Sequence, residues 1–183
     1  MLGMVFTEFV DLVEQRFGLE MLDRVIEDAA LGHEAAYTAV GYYPFSELQK
    51  LLASLCKETG ADAGVLLNAF GAHLFERLRD GHPQFFAEPD LDLFGLLMRV
   101  DSVVHVEVRK LYAHAKLPKF ACTRESAEVL LLRYESDRGL ADLAVGLLNG
   151  AAAHFGEQIE LSRVDRREGE LYCTDFRIRK VPH

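Results

Sequence analysis

The sequence has 183 residues and a mass of 20.6 kDa, with 50% hydrophobic and 27% charged residues. This size and composition predict one globular domain and argue against a disordered chain. Lysines and arginines number 20 against 29 aspartates and glutamates, so the formal net charge is -9. An acidic chain of this kind disfavours nucleic acid as a partner.

The chain shows no sign of export or of a membrane span. Its uncharged apolar stretches are shorter than the roughly 20 residues of a transmembrane helix, and its start lacks a secretory signal. We therefore expect a cytoplasmic protein with no membrane partner. The cysteines are odd in number, widely spaced and without a CxxC pair, so we expect reduced thiols: Cys56, Cys122 and Cys173.

Apolar residues at spacings of three and four predict helices through most of the first hundred residues. Ser46 and Asp62 are suitable N-caps for two of these helices. The prolines Pro83 and Pro89 indicate a loop over residues 81–92. The predicted helices cover residues 5–17, 19–30, 47–59, 62 to about 79, and 91–100.

The second part of the chain is expected to contain a small antiparallel sheet. Short segments rich in β-branched or bulky apolar residues predict strands at 103–108 and 128–134. Residues 158–164 and 170–179 flank a polar turn and predict a hairpin, and helical spacing predicts one helix at 140–155. The fold class predicted is α+β, a helical layer joined to an antiparallel sheet.

Three donors stand at alternate positions where a predicted strand ends. Tyr134, Ser136 and Arg138 would point to one side and offer two hydroxyls and a guanidinium. Such a set suits a carboxylate or a phosphate rather than a cation. The alternative is a polar stripe at a strand end that carries a surface arginine.

His105 lies in the apolar segment Val103-Val104-His105-Val106 and is expected to be partly buried. A buried neutral imidazole is either hydrogen-bonded in the core or a metal ligand. Glu107 could share its side of a strand, but two ligands do not make a protein metal site. Haem would supply four ligands of its own and would also use the three donors, through its propionates. The other histidines lack this context and are expected to be solvated or bonded locally: His33, His73, His82, His114, His154 and His183.

Several motifs together resemble those of the haem nitric oxide/oxygen binding (H-NOX) domain. The first is His-Val-Glu-Val-Arg-Lys-Leu-Tyr at residues 105–112, which is followed by Leu117-Pro118 and Phe120. The second is Tyr134-x-Ser136-x-Arg138, and the resemblance extends from the initial Met-Leu-Gly-Met-Val over nearly the whole chain.

The resemblance implies a haem b cofactor held between a helical subdomain, about residues 1–65, and an α/β subdomain, about residues 66–183. His105 would be the axial ligand of the ferrous iron, and Tyr134, Ser136 and Arg138 would bind the propionates. Pro118 would press on the porphyrin and help to hold it distorted. The family senses gas: nitric oxide on the open side of the iron weakens the histidine bond opposite, and the helical subdomain then shifts.

The resemblance also places an apolar gas pocket on the distal side of the haem. Relatives that hold O₂ stably carry a tyrosine on the helix after the Tyr-x-Ser-x-Arg motif, where this chain has Leu143. Because bound O₂ is polarised and needs a donor, an apolar pocket favours nitric oxide or CO. We therefore expect a nitric oxide sensor, although these residues could be core packing alone. The pocket residues expected are Val5, Phe9, Leu74, Leu78 and Leu143.

The chain departs from the family pattern at two places. Ala113 stands where many relatives have proline, and only Cys173 lies where some relatives bind zinc, so no zinc is expected. Output is expected to pass to a separate histidine kinase or to a diguanylate cyclase or phosphodiesterase. Two alternatives remain: a haem-free adaptor that uses the same pocket, and a haem enzyme, which would need a distal acid-base group.

Overall fold

The computed structural model describes residues 1–33 and 35–181. The expected α+β class is confirmed, since helices are followed by an antiparallel sheet of four strands. No helix within the described ranges is both long and apolar enough to cross a bilayer. The helices are α1 (Gly3–Phe17), α2 (Leu19–Ala29), α3 (Phe45–Thr59), α4 (Ala63–Gly81), α5 (Leu93–Arg99), α6 (His105–Leu111) and α7 (Ala141–His154), and the strands are β1 (Lys119–Arg124), β2 (Val129–Ser136), β3 (Gln158–Glu168) and β4 (Leu171–Val181).

The first four helices begin and end close to the predicted positions. Gly18 separates α1 from α2 with a φ of 85°, which residues with a side chain rarely adopt. Asp62 caps α4 as predicted, because its carboxylate accepts a hydrogen bond from the Gly64 amide at 2.8 Å. The serine cap predicted for α3 is wrong. Its N-cap is Pro44, and Phe45 already packs against the core as the first helical residue.

The segment around His105 is helical, so the strand predicted at residues 103–108 is wrong. A π-helical turn at Val100–Val104 joins α5 to α6. Two of the valines behind the strand prediction, Val104 and Val108, lie four residues apart, and together with Val100 they line one cavity. Burial of this helical stripe outweighs the small cost of β-branched residues in a helix. Glu107 does not share the side of His105 and instead pairs with Lys110.

The sheet has the strand order β1-β2-β4-β3, with every pair antiparallel. Strand β1 was not predicted. The hairpin was predicted, but its strands are longer and its turn is shorter, since Asp165 to Glu168 continue the β3 ladder. This is possible because β3 is an edge strand whose polar side chains reach solvent.

Two glycines bring α4 and α7 into backbone contact in front of the sheet. A Cβ added to Gly71 would lie 2.8 Å from the Gly146 Cα and would also meet the Leu143 carbonyl. The core forms two clusters, one among α1 to α4 and one between α5, α7 and the sheet. Helices α4 and α7 contribute to both, with Leu74 and Leu143 in the first and Phe75 and Ala144 in the second. The division into subdomains near residue 65 remains a prediction.

Candidate functional site

A cavity of about 300 Å³ lies where the two core clusters meet. Its walls come from α1, α4, α5, α6 and α7 and from strands β1 and β2. Nearly all of the residues singled out in the sequence line this one cavity, although they are spread over most of the chain. They are Val5, Leu74, Leu78, His105, Pro118, Tyr134, Ser136, Arg138 and Leu143.

Phe9 is the exception among the expected pocket residues. It is fully buried, and its ring packs edge-on against Phe70 at a centroid distance of 5.2 Å. Val5 lies one helical turn earlier on α1 and lines the cavity. Phe9 is thus absent from the wall of this cavity, because its ring is enclosed by the core of the N-terminal helices, and its place in the gas pocket remains a prediction.

His105 is the first residue of α6, directly after the π-helical turn. Its side chain is only 12% exposed, and its Nδ1 lies 3.3 Å from a carboxylate oxygen of Asp101. In the described part of the chain Nε2 has no hydrogen-bond partner. A metal-ligating histidine usually presents one nitrogen to the metal while a carboxylate or carbonyl holds the other.

The electrostatics of His105 favour a neutral imidazole. Burial lowers the pKa of His105, and this effect outweighs the opposite one of the nearby Asp101 carboxylate. A neutral ring has a lone pair for a metal, whereas an imidazolium has none. Within residues 1–33 and 35–181, no group of three or more His, Cys, Asp or Glu side chains could hold a metal ion. A metal at His105 would therefore need a cofactor that brings further ligands.

The three donors meet at one end of the cavity. Tyr134 and Ser136 share the buried face of β2, and Arg138 follows in the turn before α7. The Ser136 hydroxyl accepts a hydrogen bond from the Arg138 amide at 3.1 Å. Burial raises the pKa of the Tyr134 phenol, so its hydroxyl stays protonated and able to donate.

The Arg138 guanidinium is nearly buried and lines the cavity. It is 12% exposed and donates to the Lys116 carbonyl at 3.1 Å, and its Nε lies 3.5 Å from Asp137. The guanidinium also lies 5.9 Å from the centre of the Phe45 ring in α3. A second cavity, of about 340 Å³, borders Lys116 and Arg138 from the other side. The polar end of the first cavity is thus positively charged and next to an opening.

Phe120 and His82 are among the residues of the cavity wall to which the sequence assigned no role in the site. Phe120 on β1 lies with its ring centre 5.5 Å from those of both His105 and Tyr134. His82 at the end of α4 also lines the cavity, although it was expected to be solvated or locally bonded. The spacing of His82 from Leu74 and Leu78, eight and four residues along one helix, is the signal that could have found it.

The residues of this cavity fit haem. An apolar wall suits a macrocycle, a single buried imidazole with its Nδ1 oriented suits an axial ligand, and buried donors at one end suit two propionates. The macrocycle would lie among side chains such as Leu96, Leu97, Leu132 and Leu148.

Comparison with known proteins gives the family directly. A family model described as haem-NO-binding (HNOB) matches residues 2–163. The Fe(II) unliganded H-NOX protein from K. algicida is 35% identical, with a TM-score of 0.90 over 100% of this chain and 98% of that one. A variant of the T. tengcongensis H-NOX has a TM-score of 0.90 over 100% and 98% of the two chains, at 19% identity, which shows a shared fold.

A longer relative also matches. The soluble guanylate cyclase gcy-35 of Caenorhabditis elegans is 24% identical over 174 residues. These residues are 93% of this chain and 25% of the cyclase, so the chain spans about a quarter of that relative's length. The family model and the 35% identical H-NOX protein both cover most or all of the chain. This chain belongs to the haem-NO-binding family, that of the H-NOX domains.

Proposed function

We propose that the chain binds haem b in the cavity and senses nitric oxide in preference to O₂. The observation that carries the proposal is the convergence of His105, the three donors and an apolar wall in one cavity. The family supplies the functional class, since its members are gas-sensing domains rather than enzymes. Haem would supply the iron that binds the gas, and CO is expected to bind as well.

The proposed roles follow from what each side chain can do. His105 would ligate the iron through Nε2, with Asp101 holding the ring by Nδ1. Tyr134, Ser136 and Arg138 would donate to the propionates, and Arg138 would use the guanidinium N–H groups that its contacts with Lys116 and Asp137 do not occupy. Pro118, whose side chain is rigid, lines the same cavity and would press on the macrocycle.

Selectivity for nitric oxide would come from the apolar side chains of α1, α4 and α7. Val5, Leu74, Leu78 and Leu143 cannot donate a hydrogen bond to a bound gas. A bound O₂ carries more negative charge than bound nitric oxide or CO. The absence of a hydrogen-bond donor therefore lowers the affinity for O₂ more than the affinity for the other two gases.

The signal would begin at His105, the residue that would hold the haem iron, because nitric oxide binding at that iron would weaken its bond to the imidazole. A released imidazole is no longer tied to the cofactor, so α6 and the π-helical turn before it are free to move relative to α4 and α7. Short π-helical segments are often found at functional sites. We propose that a separate cytoplasmic partner, either a histidine kinase or a diguanylate cyclase or phosphodiesterase, responds to this movement.

Absorption spectra of the purified ferrous protein test the proposal. We expect a Soret band that shifts when nitric oxide is added and stays unchanged in air. His105→Gly should lose most of the haem, and added imidazole should restore it. His114→Gly is the control, because His114 is exposed and lies outside this cavity. Colourless protein that cannot be reconstituted would instead support the haem-free adaptor.

A further inference from the structure

One imidazole on the cavity wall has no part in the proposed sensor function. His82 follows Leu74 and Leu78 at intervals of four residues, and all three side chains line the cavity. His82 is also the C-cap of α4, with φ of -137° and ψ of 57°, so the helix ends here. The α4 wall of the cavity therefore ends with a titratable side chain rather than with an aliphatic one.

The surroundings of His82 place it between the cavity and solvent. It is partly exposed, as are Phe85 and Phe86 in the following turn, and all three line the cavity. Its ring centre lies 5.9 Å from that of Phe85. Within the described ranges, no hydrogen bond or ion pair fixes the imidazole. The side chain is therefore free to change rotamer on the fast timescale of exposed side chains.

Two other parts of the cavity wall are less suited as routes for a gas. The positively charged end at Lys116 and Arg138 would be covered by the propionates in the haem-bound protein. Helices α4 and α7 cannot separate easily, because their backbones touch at Gly71 and Gly146. The end of α4 is a part of the wall where one partly exposed side chain lies between the cavity and solvent.

We propose that His82, together with Phe85 and Phe86, is the gate through which diatomic gas enters and leaves the cavity. The proposal rests on the proposed haem-based function and adds the route to it. In the closed gate the imidazole keeps its polar edge in water and its ring against the phenyl group of Phe85. Closing therefore carries no free-energy penalty for burying an unpaired polar group. Rotation of the ring then opens a path beside Leu78 to the interior.

A gate has a kinetic signature that other roles for a histidine lack. It changes the barrier between solvent and pocket and leaves the two end states unaltered. The association and dissociation rate constants of the gas therefore change by the same factor, and their ratio, the dissociation constant, stays constant. A residue that donates to the gas or ligates the iron changes the dissociation constant or the haem spectrum.

The experiment measures CO association by flash photolysis and CO dissociation by displacement with nitric oxide, both on the ferrous haem protein. His82→Trp, which fills the gate, is expected to slow both processes about tenfold, and His82→Ala to accelerate both. His114→Trp is the matched control, since His114 is exposed and borders only the second cavity. Leu78→Phe provides the contrast to a gate variant. Because Leu78 lies inside the pocket, this substitution should change the dissociation constant of CO.

Rates in both His82 variants equal to those of the unaltered chain would overturn the gate. So would a changed dissociation constant, or a six-coordinate spectrum that disappears in His82→Ala, since either result would make His82 a ligand-binding or iron-binding residue. If the unaltered chain itself binds neither haem nor CO, the sensor function fails and the gate fails with it. If the unaltered chain binds CO normally and the His82 variants have the same CO rate constants, only the gate proposal is wrong.

Discussion

Two features of His105 suit its proposed role as the iron ligand, and they have separate causes. The ring must be neutral to bind iron, and burial provides this by lowering its pKa. The ring must also keep one orientation, and the Asp101 carboxylate at Nδ1 provides that. Asp101 is four residues earlier, within the π-helical turn, so the strength of the proposed iron bond would depend on the geometry of that turn.

Asp101→Asn is predicted to weaken the bond from His105 to the iron. Asparagine can still accept from Nδ1, but without the negative charge it makes the imidazole less basic. We expect a lower iron–histidine stretching frequency in resonance Raman spectra and a loss of haem affinity of about tenfold. Glu107→Gln is the control, because Glu107 pairs with Lys110 on the same helix and should leave the frequency unchanged.

Leu143→Tyr is predicted to give the pocket an affinity for O₂. Leu143 is buried on α7 and lines the cavity, so a phenol at this position would bring a hydrogen-bond donor to the gas. One such bond is expected to slow O₂ dissociation about tenfold. Leu143→Phe adds the ring without the hydroxyl and should remain insensitive to air. Equal O₂ binding in the two variants would contradict the apolar-pocket explanation of selectivity.

The backbones of α4 and α7 approach each other more closely than residues with a Cβ atom would allow at the point of contact. Gly146→Ala places a methyl group against the Asn68 carbonyl and 2.8 Å from the Gly71 Cα, so the helices must separate. The expected loss is about 3 kcal/mol in the free energy of unfolding, measured with urea. Gly81→Ala lies on α4 with open space around it and should be neutral or stabilising by up to about 1 kcal/mol. Similar losses in both would mean that helix contact is not the cause.

The elements also show what the sequence could predict and what it could not. Asp62 and the helices up to α4 follow from capping and apolar spacing, which are local signals. The valines before and after His105 have two local interpretations, strand by propensity or helix by their spacing of four, and only the cavity they line decides between them. Asp165 to Glu168 lie in a strand because an edge position tolerates polar residues, which depends on the order of the sheet.

At the scale of the whole molecule, the site exists only because two cores meet. His105 and the three donors could be predicted from their motifs, whereas the gate position of His82 depends on where α4 ends in space. Arg138 links separate elements of the chain, since its guanidinium donates to the Lys116 carbonyl and lies 5.9 Å from the ring centre of Phe45 in α3. A change at the Arg138 end of the cavity would therefore reach α3 through one side chain.

The stability of the whole chain is predicted to depend on haem. An apolar cavity of about 300 Å³ between the two clusters forfeits packing contacts, and a ligand that binds only the folded state restores them. At a haem concentration about 1,000 times its dissociation constant, the expected gain is about 4 kcal/mol in the free energy of unfolding. Calorimetry on the haem-loaded and haem-free forms should show a higher and concentration-dependent Tm for the loaded form. His105→Gly should show a smaller gain that imidazole restores, while His114→Gly should behave as the unaltered chain. Equal Tm values with and without bound haem would mean that the two cores are stable independently of what lies between them.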